Sequence, residues 1–332
     1  MPDIPLFLIL TLFLSLFFAF NNGARDSGNG IATLISTRIV PPRVAVMLCA
    51  GMNLLGALLG TEVALTVASG LARMEAIADC RTLAISALVG AVIWNGVTRF
   101  LDLPSSSFHA LIGGLCGAAV ACSGWDALNY EIIFRKVLLP LVFSPLGGFL
   151  LSFLLMAVLV RLCLDVHPRW GDYLFQNLQI ISSGLMAFCH GMNDAQKAMG
   201  VITLALFASQ QISVWEVSLW TRIACASAMA LGTVYGGLRI IRTGNYTMFE
   251  MESVHGFVSG LSAATITLIA SLFGAPISTT HVFALAIVGG GSSKRLSAVR
   301  WGIARSMMVV WLLTIPAAAL VGALVFHVLE WI

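Results

Sequence analysis

The amino-acid sequence predicts an all-α polytopic membrane protein made of two inverted repeats, with broken helices and re-entrant helical hairpins. Three observations predict it. The 332 residues are 59% hydrophobic and only 10% charged, with a mean hydropathy of +0.95, where a soluble globular chain carries about 25% charged residues. The apolar runs are long, as from Leu6 to Phe20 and from Val137 to Val160, and fit membrane helices rather than the short alternating strands of a β-barrel. Finally, two polar motifs each occur twice. Gly23-Ala-Arg-Asp-Ser-Gly-Asn29 is echoed by Gly191-Met-Asn-Asp-Ala-Gln-Lys197, and Pro104-Ser-Ser-Ser-Phe-His109 by Pro276-Ile-Ser-Thr-Thr-His281. The aspartate precedes the histidine by 83 positions in the first copy (26 to 109) and by 87 in the second (194 to 281). Polar motifs duplicated inside an apolar chain are the mark of a membrane carrier built from internal repeats.

The elements follow in order. The start, Met-Pro-Asp-Ile-Pro, has no basic segment and no clear cleavage site, so Leu6 to Phe20 reads as a first helix rather than a removable signal. The first repeat, 1–165, comprises a segment over 5–38 broken at Asp26, a helix over 44–70, two apolar stretches meeting at Pro104 within 82–122, and a helix over 137–161. The second repeat, 170–332, follows the same plan: 172–208 broken at Asp194, 212–238, a pair meeting at Pro276 within 254–291, and 300–327. The linkers near 122–136 and 161–173 are too short for a soluble domain, so the two repeats form one integrated membrane domain. Proline disfavours helix at the residue before it, and the neighbouring hydroxyls can satisfy freed backbone groups; both paired stretches therefore read as re-entrant hairpins that enter and leave on one side, the alternative being two ordinary spans joined by a proline-containing loop. Each repeat then crosses three times, and an odd count inverts the second relative to the first. Basic residues fall in many connections and do not set the orientation. The seven cysteines have no metal-site spacing and read as small packing residues.

An ionisable residue in a membrane segment is a functional candidate by default, and Asp26 and Asp194 are the foremost. A carboxylate beside unwound backbone carbonyls suits a hard cation such as Na⁺; it can equally take up and release a proton. Asn193 lies beside Asp194 in the same motif. The hydroxyls of Ser105, Ser106, Ser107, Ser278, Thr279 and Thr280, with the N–H groups of the helices starting there, can surround a tetrahedral oxyanion, although such hydroxyls also serve as local caps. Arg25 and Lys197 either neutralise the aspartates or, for Lys197, touch the anion as a point charge. His109 and His281 follow the tips at equal spacing, as a proton relay or as hydrogen-bonding supports of the hairpins.

These residues resemble the Pit family of inorganic phosphate transporters, nearest its compact prokaryotic members, over essentially the whole chain. The resemblance is carried by Asn22-Gly-Ala-Arg-Asp-Ser-Gly-Asn29 running into Ser36-Thr-Arg38, by His190-Gly-Met-Asn-Asp-Ala-Gln-Lys197, by both tips, and by Arg300-Trp-Gly-Ile-Ala-Arg followed by Trp311-Leu-Leu-Thr-Ile-Pro316. It implies cation-coupled phosphate symport in a prokaryotic inner membrane, by a carrier that often forms homodimers, without a further cofactor. It also puts Asp26, Asn29, Asn193, Asp194 and Gln196 on ion- and substrate-binding positions and the tip hydroxyls on phosphate-contacting positions; Asn29 and Gln196, with Lys197 by its own charge, are expected at the phosphate, and Asp26, Asp194 and Asn193 at the coupling cation, Na⁺ or H⁺. Arg25 departs from the Asn or His usual before the first aspartate; Lys197 stands where many members have Asn; Met229 occupies a position where some carry Glu, with Asn53 its partner in the first repeat.

The nearest rival is a sulfate transporter on the same scaffold. A nearby carboxylate favours phosphate, which can donate a proton to it, whereas Arg25 and Lys197 lessen that preference. An anion channel is a third reading. An intramembrane aspartyl protease would also use two aspartates, but the residue before Asp194 is Asn193 rather than Gly, and the twin tips would go unexplained. Nothing points to nucleic acid.

Overall fold

Each apolar run of the sequence becomes one or two helices. The computed structural model describes residues 6–26, 28–73, 80–101, 105–165, 167–243, 252–293 and 301–331. Helix α1 (Leu6–Asp26) ends at the first motif and α2 (Gly28–Ser36) begins beyond it; Ser27, where the first break is expected, lies outside the described residues, as does Pro104. α3 (Pro42–Leu58) starts with proline in its first turn, where a missing N–H costs nothing. Gly60, at φ +93°, then turns the chain by 62° into α4 (Glu62–Leu65), which continues as a π-helical turn, Thr66–Gly70. The single helix expected over 44–70 is therefore a bent pair.

α5 (Cys80–Phe100) and α6 (Ser107–Ser123) form the first hairpin. A short turn at Trp125–Ala127, α7 (Tyr130–Ile132) and a π-helical turn (Ile133–Leu138) lead into α8 (Leu139–Leu162). α9 (Pro168–Ala208) runs 41 residues without interruption. The break expected at Asp194 is absent: no proline or left-handed residue falls there, and the polar side chains of the motif bond to other elements, so the backbone has no reason to unwind. α10 (Leu219–Thr243) follows, then a second hairpin of α11 (Ser253–Leu272) and α12 (Thr279–Ser292), and finally α13 (Trp301–Glu330). Among the described residues, five helices are long and apolar enough to cross a membrane, and the bent pair α3–α4 makes a sixth if counted as one span.

The helices pack in matched pairs. α1 lies on α10 and α9 on α3; α6 lies on α13 and α12 on α8; α5 pairs with α6 and α11 with α12. Small residues let the backbones close up. A methyl group at Gly23 would strike the Met229 carbonyl and one at Gly191 the Asn53 carbonyl, while Gly56 and Gly232 abut the carbonyls of Phe188 and Phe20. The main apolar core, through Phe18, Leu88, Leu111 and Ile202, ties the first hairpin to α1 and α9.

Candidate functional site

Both hairpin tips end in the same construction. Ser106 caps α6 by accepting from the His109 N–H at 3.4 Å, and Ser278 caps α12 by accepting from the His281 N–H at 3.4 Å. These two hydroxyls thus serve the backbone, as the capping alternative holds. The second tip follows Gly274, whose φ of +62° closes α11 in the left-handed conformation that favours glycine. Its carbonyl accepts from Thr66 Oγ1 at 2.8 Å, and Lys136 Nζ donates to the adjacent Phe273 carbonyl, so the tip is moored to the two π-helical turns.

The residue before each aspartate holds one tip. Arg25 donates through Nη1 to Asn95 Oδ1 (3.2 Å) and through Nη2 to the Ser105 carbonyl (2.9 Å) and hydroxyl (2.8 Å); the Ser105 hydroxyl in turn donates to Thr98 Oγ1 at 2.7 Å. Asn193 donates to Ser271 Oγ (2.9 Å) and the Ala275 carbonyl (3.3 Å), and accepts from the Ile277 N–H (3.3 Å).

Between the tips lie the charges. Asp194 Oδ1 accepts from Lys197 Nζ at 2.5 Å; its Oδ2 accepts from Asn22 Nδ2 (3.2 Å) and Thr279 Oγ1 (3.3 Å) and lies 3.4 Å from His190 Nε2. Asp26 Oδ1 accepts from Thr280 Oγ1 at 2.9 Å, and its Oδ2 lies 3.9 Å from the same His190 nitrogen. His190 Nδ1 is paired with Asn53 Oδ1 at 2.9 Å, and Asn53 donates onward to Thr233 Oγ1 at 2.9 Å. Asp26, His190 and Asp194 offer ligand atoms within 4.8 Å of one another. The Asp26 side chain is 9% exposed against 4% for Asp194, which makes it the more approachable carboxylate, and a small cavity lined by Asp26, Asn53, His190 and Cys49 borders it. Two buried carboxylates beside a guanidinium and an ammonium satisfy the requirement that charge in a low-dielectric interior be paired. Two oxygen ligands and an imidazole can hold a hard cation or pass a proton; hydroxyls and helix starts can hold an oxyanion.

The structure thus brings together Arg25, Asp26, Ser105, Asn193, Asp194, Lys197, Thr279 and Thr280. Ser107 is buried at the first turn of α6. Gln196 points elsewhere: its Oε1 accepts from the N–H groups of Val63 (2.8 Å) and Ala64 (3.1 Å), satisfying the orphan donors of α4. The Asn29 side chain lies outside the described residues. His109 and His281 face one another with ring centroids 5.0 Å apart, and His281 stacks on Trp311 at 3.7 Å; they join the hairpins to each other. Sequence reasoning missed His190, Asn22 and Asn53 as site members. The signal for His190 was its spacing, four residues before Asp194 on one helix, which puts both on one face.

The family described as "Phosphate transporter family" matches residues 22–171 and 166–322. A "Probable low-affinity inorganic phosphate transporter" of Bacillus subtilis (strain 168) is 39% identical over 99% of both chains. One of the same description from Rhizobium meliloti (strain 1021) is 40% identical over 94% of this chain and 93% of its own. Among solved structures, "The sodium-dependent phosphate transporter" superposes with a TM-score of 0.89, covering 99% of this chain and all of its own, at 24% identity; at that identity the likeness is one of fold.

Proposed function

The chain belongs to the phosphate transporter family, and on that premise we propose that it is a secondary carrier that moves inorganic phosphate together with a cation, Na⁺ or H⁺. It is an integral membrane protein, and its family and relatives are transporters, not enzymes. The observation that carries the reading is the convergence of the second hairpin tip on the Asp26–His190–Asp194 centre, with the first tip held beside it by Arg25. Phosphate sits between the tips, against Ser105, Ser107, Thr279 and Thr280 and the starts of α6 and α12; Lys197 holds the second tip from α9 through Asp194 and the Ile277 carbonyl. The cation binds at the Asp26–Asp194 pair. Before substrate arrives, Thr279 and Thr280 donate to the two carboxylates. A cation on those carboxylates releases the hydroxyls to phosphate, so each solute favours the conformation that binds the other, which is what coupling requires.

Two inverted repeats, 1–165 and 170–332, are part of the same proposal. Its support is the exchange of contacts: Gly23 meets Met229 as Gly191 meets Asn53, and Gly117 meets Ala319 as Gly289 meets Phe149. Alternating access then follows from rocking one half against the other around a fixed site.

The test is uptake of labelled phosphate into proteoliposomes under imposed Na⁺ or proton gradients, with sulfate as competitor. Saturable uptake that follows one gradient and disappears in Asp194→Asn is expected. Uptake of sulfate in preference to phosphate, or linear flux indifferent to both gradients, overturns the reading.

A further inference from the structure

We propose that Arg25 and Lys197 are resident counter-cations of the two hairpin tips, each filling an oxygen-lined seat that takes a mobile Na⁺ ion when the side-chain cation is removed. The inference rests on the reading of the protein as a cation-coupled phosphate carrier, and it decides how many cations must travel with each phosphate.

The two seats correspond. Ser105 and Ile277 each stand just before the capping serine and four residues before the histidine. The Ser105 carbonyl is held by the Arg25 guanidinium at 2.9 Å; the Ile277 carbonyl is held by the Lys197 ammonium at 2.7 Å. Arg25 also donates to the Ser105 hydroxyl and the Asn95 amide oxygen, and Lys197 to Asp194 Oδ1. Carbonyl, hydroxyl, amide and carboxylate oxygens are the ligands of hard cations. Lys197 is fully enclosed, with its ammonium 4.6 Å from the centre of the Phe108 ring on the opposite hairpin, so the first hairpin also closes over the second seat.

Charge arithmetic gives the arrangement its consequence. With His190 neutral between the two carboxylates, the guanidinium and the ammonium balance the two aspartates before phosphate arrives, so mobile cations have to offset only the charge of the phosphate itself. Each tethered cation lost is one more ion to be imported, because an uncompensated charge in the bilayer interior is too costly to leave. The Ser105 carbonyl, the Ser105 hydroxyl and the Asn95 amide oxygen beside Arg25 are ligands for a metal cation and not bases, so these oxygens favour Na⁺ over a proton in the vacated seat, whichever ion drives the native protein.

The experiment measures phosphate uptake by native protein, Arg25→Asn, Arg25→Lys and Lys197→Asn in proteoliposomes, in NaCl against choline chloride, with the cation-to-phosphate ratio read from the reversal potential. For Arg25→Asn the expected result is a rate about tenfold or more lower in choline, recovered by Na⁺ in a saturable manner, with one more cation moved per phosphate. Arg25→Lys keeps the native ratio. An unchanged ratio and unchanged Na⁺ dependence in a folded Arg25→Asn overturns the proposal, as does loss of phosphate binding that no Na⁺ concentration restores. Should Arg25→Asn fail to fold, the same results in Lys197→Asn support or overturn it. Native protein that shows no coupled phosphate uptake sinks the underlying reading instead, which separates the two failures.

Discussion

Replacing Gly191 with alanine tests the close seam between α3 and α9. The added methyl carbon would lie 2.8 Å from both the Cα and the carbonyl carbon of Asn53, and closer still to its oxygen. No side-chain rotation relieves a clash with backbone, so α3 must move away. Overpacking of this kind costs about 1–3 kcal/mol, which predicts a fall of several degrees in the melting temperature of the detergent-solubilised protein. The displacement also carries Asn53 away from His190 Nδ1, now 2.9 Å distant, so phosphate uptake falls along with stability. Gly51→Ala is the control. It sits on α3, the helix that carries Asn53, with nothing within 4 Å of its added carbon, and gains about 0.5–1 kcal/mol from helix propensity alone. Equal effects of the two substitutions on melting temperature would refute the packing argument. A large stability loss in Gly191→Ala with native uptake kinetics would refute the link from the seam to His190.

Other substitutions separate support from chemistry. Gln196→Ala leaves the Val63 and Ala64 N–H groups uncapped, so it costs about 1 kcal/mol of stability while the KM for phosphate stays put; a raised KM would return Gln196 to the substrate site. Thr280→Val removes the hydroxyl that donates to Asp26 at 2.9 Å and passes to phosphate in the proposed cycle; a bond to a charged acceptor is worth about 1.5–3 kcal/mol, so uptake efficiency should fall ten- to hundredfold or so, and native kinetics would show that this hydroxyl is idle. Gly274→Ala places a side chain at φ +62° and 3.0 Å from the Glu62 carbonyl oxygen. A loss of about 1–2 kcal/mol, with freer proteolysis of the second tip, is the expected outcome.

Much of this architecture is legible in the residues because a bilayer punishes ambiguity. Apolar runs must be helices, and aspartates among them must have a reason to be there. The hairpins were legible for the same cause, since proline beside hydroxyls marks an interruption. The continuity of α9 was not. Asn193 and Asp194 look from the sequence like residues that would compete for their own backbone, and only the tertiary partners at Ser271 and Asn22 show why they leave it alone. Gln196 illustrates a related limit: a motif says which residues lie together along the chain, not which way a side chain on a helix turns. Its neighbour Lys197 faces the centre while Gln196 faces α4. The bend at Gly60 was hidden because a lone glycine in an apolar run is as often a packing site as a turn.

The unbroken α9 has a mechanical meaning. At about 1.5 Å per residue its 41 residues reach roughly 60 Å, about twice the hydrocarbon thickness of a bilayer. Asp194 lies about 39 Å from its beginning. A rod hinged there is a lever arm: a tilt of about 5° at the ion pair sweeps the far end through roughly 3 Å. Ångström-scale rearrangement around Lys197 and Asp194 is thereby amplified at the membrane surface, and a fluorophore near Trp170, which is exposed close to that end, would read the state of a site it never touches.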